Sequence, residues 1–246
     1  MGGGPPPHAE TVLYCLPNAG GGGTHYLSWR RLLPDTLWVQ PVQLPGRENR
    51  LLEDPRFDVA EVARALAEHV DRPYVLYGHS MGGVLAWKAA VALAHRGVPL
   101  PERLVVAASP APREYTPWAR RWAALSEAEL LGEVAALGGV PPQVLDHPRL
   151  SQRIATVLAA DVGWLAERSA GIRDDPLPVP VLALAGQEDP LVRPEHMAGW
   201  AECTSQDFQL HVIAGGHLFH TNHAEAVTSA ILQTIVAEKG NLHEVR

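Results

Sequence analysis

The chain has 246 residues, enough for one large α/β domain, and no change of composition in its middle divides it in two. Its 20 basic and 27 acidic residues leave a formal net charge of −7, which argues against nucleic acid or an anionic membrane as the main partner. Two cysteines, Cys15 and Cys203, are too few for a disulfide framework, no leader-like segment opens the chain and no apolar run is long enough to span a bilayer, so a reducing cytoplasm is expected.

Residues 1–8 and 240–246 read as loose tails around a single domain. Apolar runs at 12–16, 38–42, 74–77, 104–108, 179–185 and 208–213 predict six strands, several with the near-continuous hydrophobicity of buried parallel strands. Helical patterns fall between most of them. Such alternation implies a mostly parallel sheet with right-handed crossovers, helices on both faces and a site at the strands' carboxyl ends.

The first strand runs into Pro17-Asn18-Ala19 and four glycines. A phosphate loop would need a lysine and a hydroxyl that this segment lacks. In a serine hydrolase the loop after an early strand supplies one oxyanion N–H and the residue after the nucleophile supplies the second. The candidates here are Ala19 and Met81.

The third strand breaks at Gly78-His79-Ser80-Met81-Gly82 and a helical pattern follows. Strand, sharp turn and helix form the context in which Gly-x-Ser-x-Gly exposes a nucleophilic serine, with glycines that let strand and helix approach. His79 is expected to shape the loop rather than act as base.

From 113 to 172 the alternation stops and helix signals continue without a strand. Ser126 with Glu129 reads as a capping box before Leu130, Leu131, Val134 and Leu137, and Ile154, Val157, Leu158 and Leu165 recur at helical spacing. Gly138-Gly139 and Pro141-Pro142 divide the halves. An insertion after a strand's carboxyl end lies beside the serine, so this segment is expected to be a helical lid, with Trp118, Trp122, Leu130 and Val134 as its substrate-facing residues.

Ser80 needs a base and a carboxylate that orients it. His217 follows the last strand and Gly215-Gly216, and Asp189 follows the strand before it, which completes the hydrolase order Ser, Asp, His. Glu188, beside Asp189, is expected to be exposed. His220 and His223 repeat at spacings of three, but no carboxylate or cysteine cluster accompanies them, so no metal is expected and both read as the start of the final helix. No organic cofactor is required by this chemistry.

Five segments together resemble the discrete type II thioesterases of polyketide and nonribosomal peptide biosynthesis, within the α/β-hydrolase superfamily. They are Leu16-Pro17-Asn18-Ala19-Gly20-Gly21, Leu44-Pro45-Gly46-Arg47-Glu48, Gly78-His79-Ser80-Met81-Gly82, Leu137-Gly138-Gly139-Val140-Pro141 and Gly215-Gly216-His217-Leu218-Phe219. The resemblance implies a Ser80, Asp189 and His217 triad, an Ala19 and Met81 oxyanion hole, and a cytoplasmic hydrolase, expected to be monomeric, that clears stalled acyl groups from the phosphopantetheine arm of acyl or peptidyl carrier proteins. Thioesterases fused to synthase modules commonly carry their aspartate after the strand that follows the elbow helix. Here that strand ends in Ser109-Pro110. With a methionine at its start and no carrier domain, the chain is expected to meet its substrate on a separate protein. Arg30, Arg31, Arg47, Arg50, Arg120 and Arg121 are the candidate contacts to an acidic carrier. A small-molecule esterase or acyltransferase shares the same triad, and a non-catalytic carrier-binding module is a third class.

Overall fold

The computed structural model describes residues 4–168 and 175–244, without the side chains of 113, 115–117, 168 and 237–244. Six strands, β1 (Thr11–Leu16), β2 (Leu37–Pro41), β3 (Tyr74–His79), β4 (Arg103–Ala107), β5 (Val181–Gly186) and β6 (Phe208–Ile213), form one sheet. The order is β2-β1-β3-β4-β5-β6 and every pairing is parallel. All six expected strands are present. β5 starts two residues later than expected, after Pro180, whose ring supplies no ladder N–H.

Alternate residues of each strand feed opposite faces, as the two-residue period of a strand requires. Val12, Tyr14 and Leu16 join the core beneath α1 (Val59–Ala67) and α2 (Met81–His95). Leu13 and Cys15 join the core beneath a 3-10 helix, Thr24–Arg31, and the last helix.

Between β4 and β5 lie α3 (Pro112–Ala123), α4 (Glu127–Ala136), α5 (Pro142–Leu145) and α6 (Pro148–Arg168). The capping box forms: Ser126 accepts from the Glu129 amide, and the Glu129 carboxylate accepts from the Ser126 amide at 2.8 Å. Gly138, at φ +78°, ends α4 in the left-handed conformation that glycine adopts without strain. The expected end of the insertion, 172, lies outside the described residues. Beyond β5 come α7 (Pro194–Met197), α8 (Phe219–Asn222) and α9 (Ala224–Glu244). α9 therefore continues into the stretch from 240 that reads as a tail, while 1–3, 245 and 246 lie outside the described residues. Among the described residues no helix is long and apolar enough to cross a membrane.

The strand order reverses between β1 and β3. β2 follows β1 on one side, and β3 returns on the other, with Leu16 in register with Gly78. Ligands in open parallel sheets bind beyond the carboxyl ends of the strands at such a reversal. Here it brings the loop after Leu16 beside the turn at Ser80.

Candidate active site

Ser80 has φ 52° and ψ −117°, a conformation that a residue with a Cβ holds only under strain. The ladder supports it: the Ser80 amide donates to the Ala107 carbonyl at 2.8 Å, and the Gly83 amide donates to the Ser80 carbonyl at 3.0 Å. A Cβ on Gly78 would collide with the Gly82 carbonyl, and one on Gly82 with the Leu16 carbonyl. The first glycine lets strand meet helix. The second lets the end of β1 lie against the first turn of α2.

His217 Nε2 lies 3.1 Å from Ser80 Oγ, and His217 Nδ1 lies 2.8 Å from Asp189 Oδ2. The other carboxylate oxygen, Oδ1, accepts from the amides of Leu191 at 2.8 Å and Val192 at 3.0 Å. Asp189 is thus held from both sides, with a fully buried side chain. The three residues expected from the sequence meet in one line. Glu188 is exposed, as expected, and its carboxylate accepts from the Gly215 amide on the loop that carries His217.

His79 does shape a loop. Its Nε2 donates to the His217 carbonyl at 2.7 Å, while its Nδ1 accepts from the Tyr77 hydroxyl at 3.2 Å, a tautomer assigned from those partners. The His79 ring packs, tilted, against His220 with ring centroids 3.8 Å apart, and His220 Nε2 lies 3.1 Å from His25 Nε2. Burial holds His79 and His220 well below the usual histidine pKa and lowers His25 to about 4. The histidines behind His217 therefore stay neutral near pH 7. His220 lies in α8 and His223 caps it, just before the final helix rather than at its start. Among the described residues no group of three or more His, Cys, Asp or Glu side chains could hold a metal ion.

The loop after β1 keeps most of its amides occupied. Gly20 donates to Asp161 Oδ2 at 2.8 Å, Gly21 to the Asn18 carbonyl at 3.0 Å, and Gly23 and Thr24 to the Glu48 carboxylate at 3.2 and 3.0 Å. Among the described residues, the amides of Ala19 and Met81 have no acceptor within the protein. Met81 also opens the 15-residue α2, whose N-terminus favours negative charge.

A narrow pocket opens on Ser80 and His217, with Ala19 on its wall and Trp118, Trp122 and Val134 from the insertion above. Trp118 and Trp122 stack at 4.5 Å. Leu130, expected at the pocket, instead packs behind Trp122 with Leu158 and Val162, 1% exposed. Its face of α4 meets the insertion's own small core. Asn18, Leu137, Leu158, Leu191 and Leu218 complete the lining, so that leucines of the insertion face the pocket beside Trp118 and Trp122. The pocket's free volume is about 20 Å³, room for little more than one water. A larger, more polar groove of about 490 Å³ lies between residues 42–50 and α1 and shares no lining residue with it.

The arginines divide. Arg31, Arg120 and Arg121 are exposed. Arg30 lies over the Trp38 ring and donates to the Val39 carbonyl, and Arg50 pairs with Glu53. Arg47 is no surface contact: it is 5% exposed and bound bidentately to Asp161.

Residues 11–235 match the model of the thioesterase domain family. Linear gramicidin dehydrogenase LgrE of Brevibacillus parabrevis is 31% identical over 92% of this chain and 88% of its own. That name carries an oxidoreductase term, whereas the family match and the site geometry are those of an acyl hydrolase. Among solved structures, the thioesterase RedJ of the prodiginine pathway in Streptomyces coelicolor superposes with a TM-score of 0.82 at 32% identity, covering 91% of this chain and 89% of its own. The type II thioesterase BorB of the borrelidin cluster gives 0.77 at 34% identity, covering 94% of each chain. The chain belongs to the thioesterase family, whose members of this α/β-hydrolase fold are serine hydrolases acting on thioesters.

Proposed function

We propose that the protein is a discrete type II thioesterase that hydrolyses stalled or aberrant acyl groups from the phosphopantetheine thiol of acyl or peptidyl carrier proteins. The observation that carries this reading is the hydrogen-bonded line from Ser80 through His217 to Asp189, facing two unpaired amides beneath an apolar roof. Similarity to BorB and RedJ over nearly the whole chain supports the pathway class.

In this reading His217 Nε2 takes the Ser80 proton as Oγ attacks the thioester carbonyl. Asp189 holds the resulting imidazolium and its tautomer. The Ala19 and Met81 amides receive the oxyanion, each such donor being worth roughly 100- to 1000-fold in rate. The tetrahedral intermediate collapses with cleavage of the C–S bond, and the departing sulfur takes the proton from His217. A thiol of pKa about 8.5 leaves with less acid assistance than an amine, so the oxyanion donors carry more of the barrier than the acid does. Water, deprotonated by His217, then attacks the acyl-serine, and the proton returns to Oγ as the acid departs.

The helical insertion serves as the lid. With about 20 Å³ free, an acyl chain enters only when the roof moves, and the lining of tryptophan and aliphatic side chains selects for apolar character rather than for one shape. A cytoplasmic enzyme meeting a separate carrier completes the reading.

The test is hydrolysis of propionyl carried on an acyl carrier protein against a p-nitrophenyl ester of the same acid, for wild type and Ser80→Ala. Preferential cleavage of the carrier thioester, abolished by alanine, is the expected result. Efficient ester cleavage with the carrier ignored would move the function to a small-molecule esterase or acyltransferase. Carrier binding without turnover in the wild type would make it a binding module.

A further inference from the structure

Asp161 is a fully buried carboxylate in an otherwise apolar region of the inserted helix α6, far in sequence from the triad. Its Oδ1 accepts from Arg47 Nη2 and its Oδ2 from Arg47 Nη1, both at 2.8 Å, and Oδ2 also accepts the Gly20 amide at 2.8 Å. Arg47 donates further to the Gly21 carbonyl at 3.1 Å and the Pro45 carbonyl at 3.2 Å. A buried ion pair adds little net stability over an apolar pair of like volume, so its retention here needs a reason other than holding the fold together.

We propose that the Arg47–Asp161 pair is a positioning device for the oxyanion hole, fixing the direction of the Ala19 amide. This rests on the reading of Ala19 as an oxyanion donor. The peptide joining Ala19 to Gly20 is clamped at both ends: its carbonyl accepts from Asn18 Nδ2 at 3.1 Å, and its N–H donates to Asp161. Because a peptide unit is planar, two such bonds fix its orientation. On the other side of Ala19, the Leu16 and Pro17 carbonyls lie against Gly82 of the elbow helix. The Ala19 N–H itself belongs to the preceding peptide, whose Asn18 carbonyl accepts from the Gly21 amide at 3.0 Å, so its direction is set by that turn together with the clamped peptide that follows it. Leu158, one turn before Asp161 on α6, packs on Gly20 and lines the pocket, so the same helix closes the acyl chamber and secures the donor. The charge on the pair matters because Asp161 accepts three hydrogen bonds at once. A neutral amide there offers a single acceptor oxygen, and its NH₂ group faces the guanidinium donors.

Asp161→Asn keeps volume and one acceptor, and Arg47→Met with Asp161→Leu replaces the whole pair by apolar groups, a change that buried pairs tolerate. Each variant that retains the wild-type circular dichroism spectrum is assayed on a short acyl thioester of N-acetylcysteamine. Each is also titrated with a trifluoromethyl ketone analogue, whose Ser80 adduct carries an oxyanion, and with a non-hydrolysable amide analogue of the ground state. The expected result is a kcat lower by 30-fold or more, KM within about three-fold, ketone affinity lost in parallel with kcat/KM, and amide affinity retained, since one donor is worth roughly 100- to 1000-fold. Arg47→Lys, which keeps the charge but loses the fork, should recover part of the loss. A folded variant with kcat and ketone affinity within three-fold of wild type overturns the proposal, as does a loss that appears only in KM or equally for both analogues. Failure of the wild type itself to bind the ketone would instead overturn the serine hydrolase reading on which the proposal rests.

Discussion

Around Ser80 the positions are set by directed hydrogen bonds to the backbone, whereas around Trp122 they are set by apolar packing. The nucleophile and Asp189 are held by main-chain groups at or just past the ends of paired strands, and the amides of the Ala19 loop are held by the Asn18 carbonyl and by the carboxylates of Asp161 and Glu48. The roof rests on a cluster of four buried side chains, Trp122, Leu130, Leu158 and Val162, with Ala19 and Leu191 packed against it from below. Backbone hydrogen bonds have short range and strict direction, so displacement there is felt at once. Apolar packing tolerates exchange of volume and shape. On the proposed reading, the chemistry therefore sits where hydrogen bonds leave little freedom, and acyl selection sits where packing tolerates exchange.

The largest effect should come from the elbow. Ser80→Gly is expected to lower turnover by roughly 10⁴-fold or more, yet to raise stability by about 1 kcal/mol, because glycine reaches φ 52° without strain. Denaturant titration beside thioester hydrolysis measures both. A variant less stable than wild type would show that the backbone at Ser80 is not strained and would weaken the contrast drawn above. Gly82→Ala comes next: its Cβ meets the Leu16 carbonyl, displaces the Ala19 loop and should cut kcat by roughly 100-fold, the worth of one oxyanion donor. Retention of full kcat would mean that the loop absorbs the push.

The backbone-held half was the legible half. Strand runs, the elbow and the order Ser, Asp, His all depend on residues near one another in the chain or on the ends of strands, and apolar runs mark those ends. The Arg47–Asp161 pair spans 114 positions, and neither partner announces the other. One signal was available: Asp161 falls three residues after Leu158 and four after Val157, on the apolar stripe of α6, where an acid must find a partner. Leu130 shows the converse limit. Helical spacing identifies the apolar face of α4, but not whether that face looks into the pocket or into the insertion's own core.

Acid should act on the sheet side before the roof. Burial lowers His79 and His220 well below 6.5 and His25 to about 4, so the unfolded chain binds more protons than the native one once the pH falls below about 6.5. Stability should therefore decline as pH drops from 6.5 towards 4, by up to about 1.4 kcal/mol per unit for each of the three groups. Denaturant midpoints at pH 7 and 5 check the sign, and His220→Gln should flatten the slope. An unchanged slope would mean that His220 is not the neutral, buried group described here.

On the roof the effects should be smaller and selective. Trp118 is half-buried and stacked on Trp122, and its removal widens a pocket of about 20 Å³. Trp118→Ala should lower KM several-fold for an octanoyl thioester relative to a propionyl one, with kcat for the short chain nearly unchanged. A fall in kcat for both chain lengths would instead tie the roof to the chemistry and blur the division between the halves.

The smallest expected effect lies at the outer face of α3, where Arg120 and Arg121 close the helix and are exposed. An acidic carrier approaching a protein of net charge −7 needs a local positive surface, and these side chains stand on the helix that also carries Trp118 and Trp122. Arg120→Glu with Arg121→Glu should raise KM a few-fold for a carrier-bound acyl group and leave a small thioester unaffected. The difference should shrink at high salt, because exposed charges are screened beyond about 10 Å at 0.1 M. Equal effects on both substrates would place the change in the roof rather than in docking. Salt dependence separates the two, since a distorted roof would raise KM at any ionic strength.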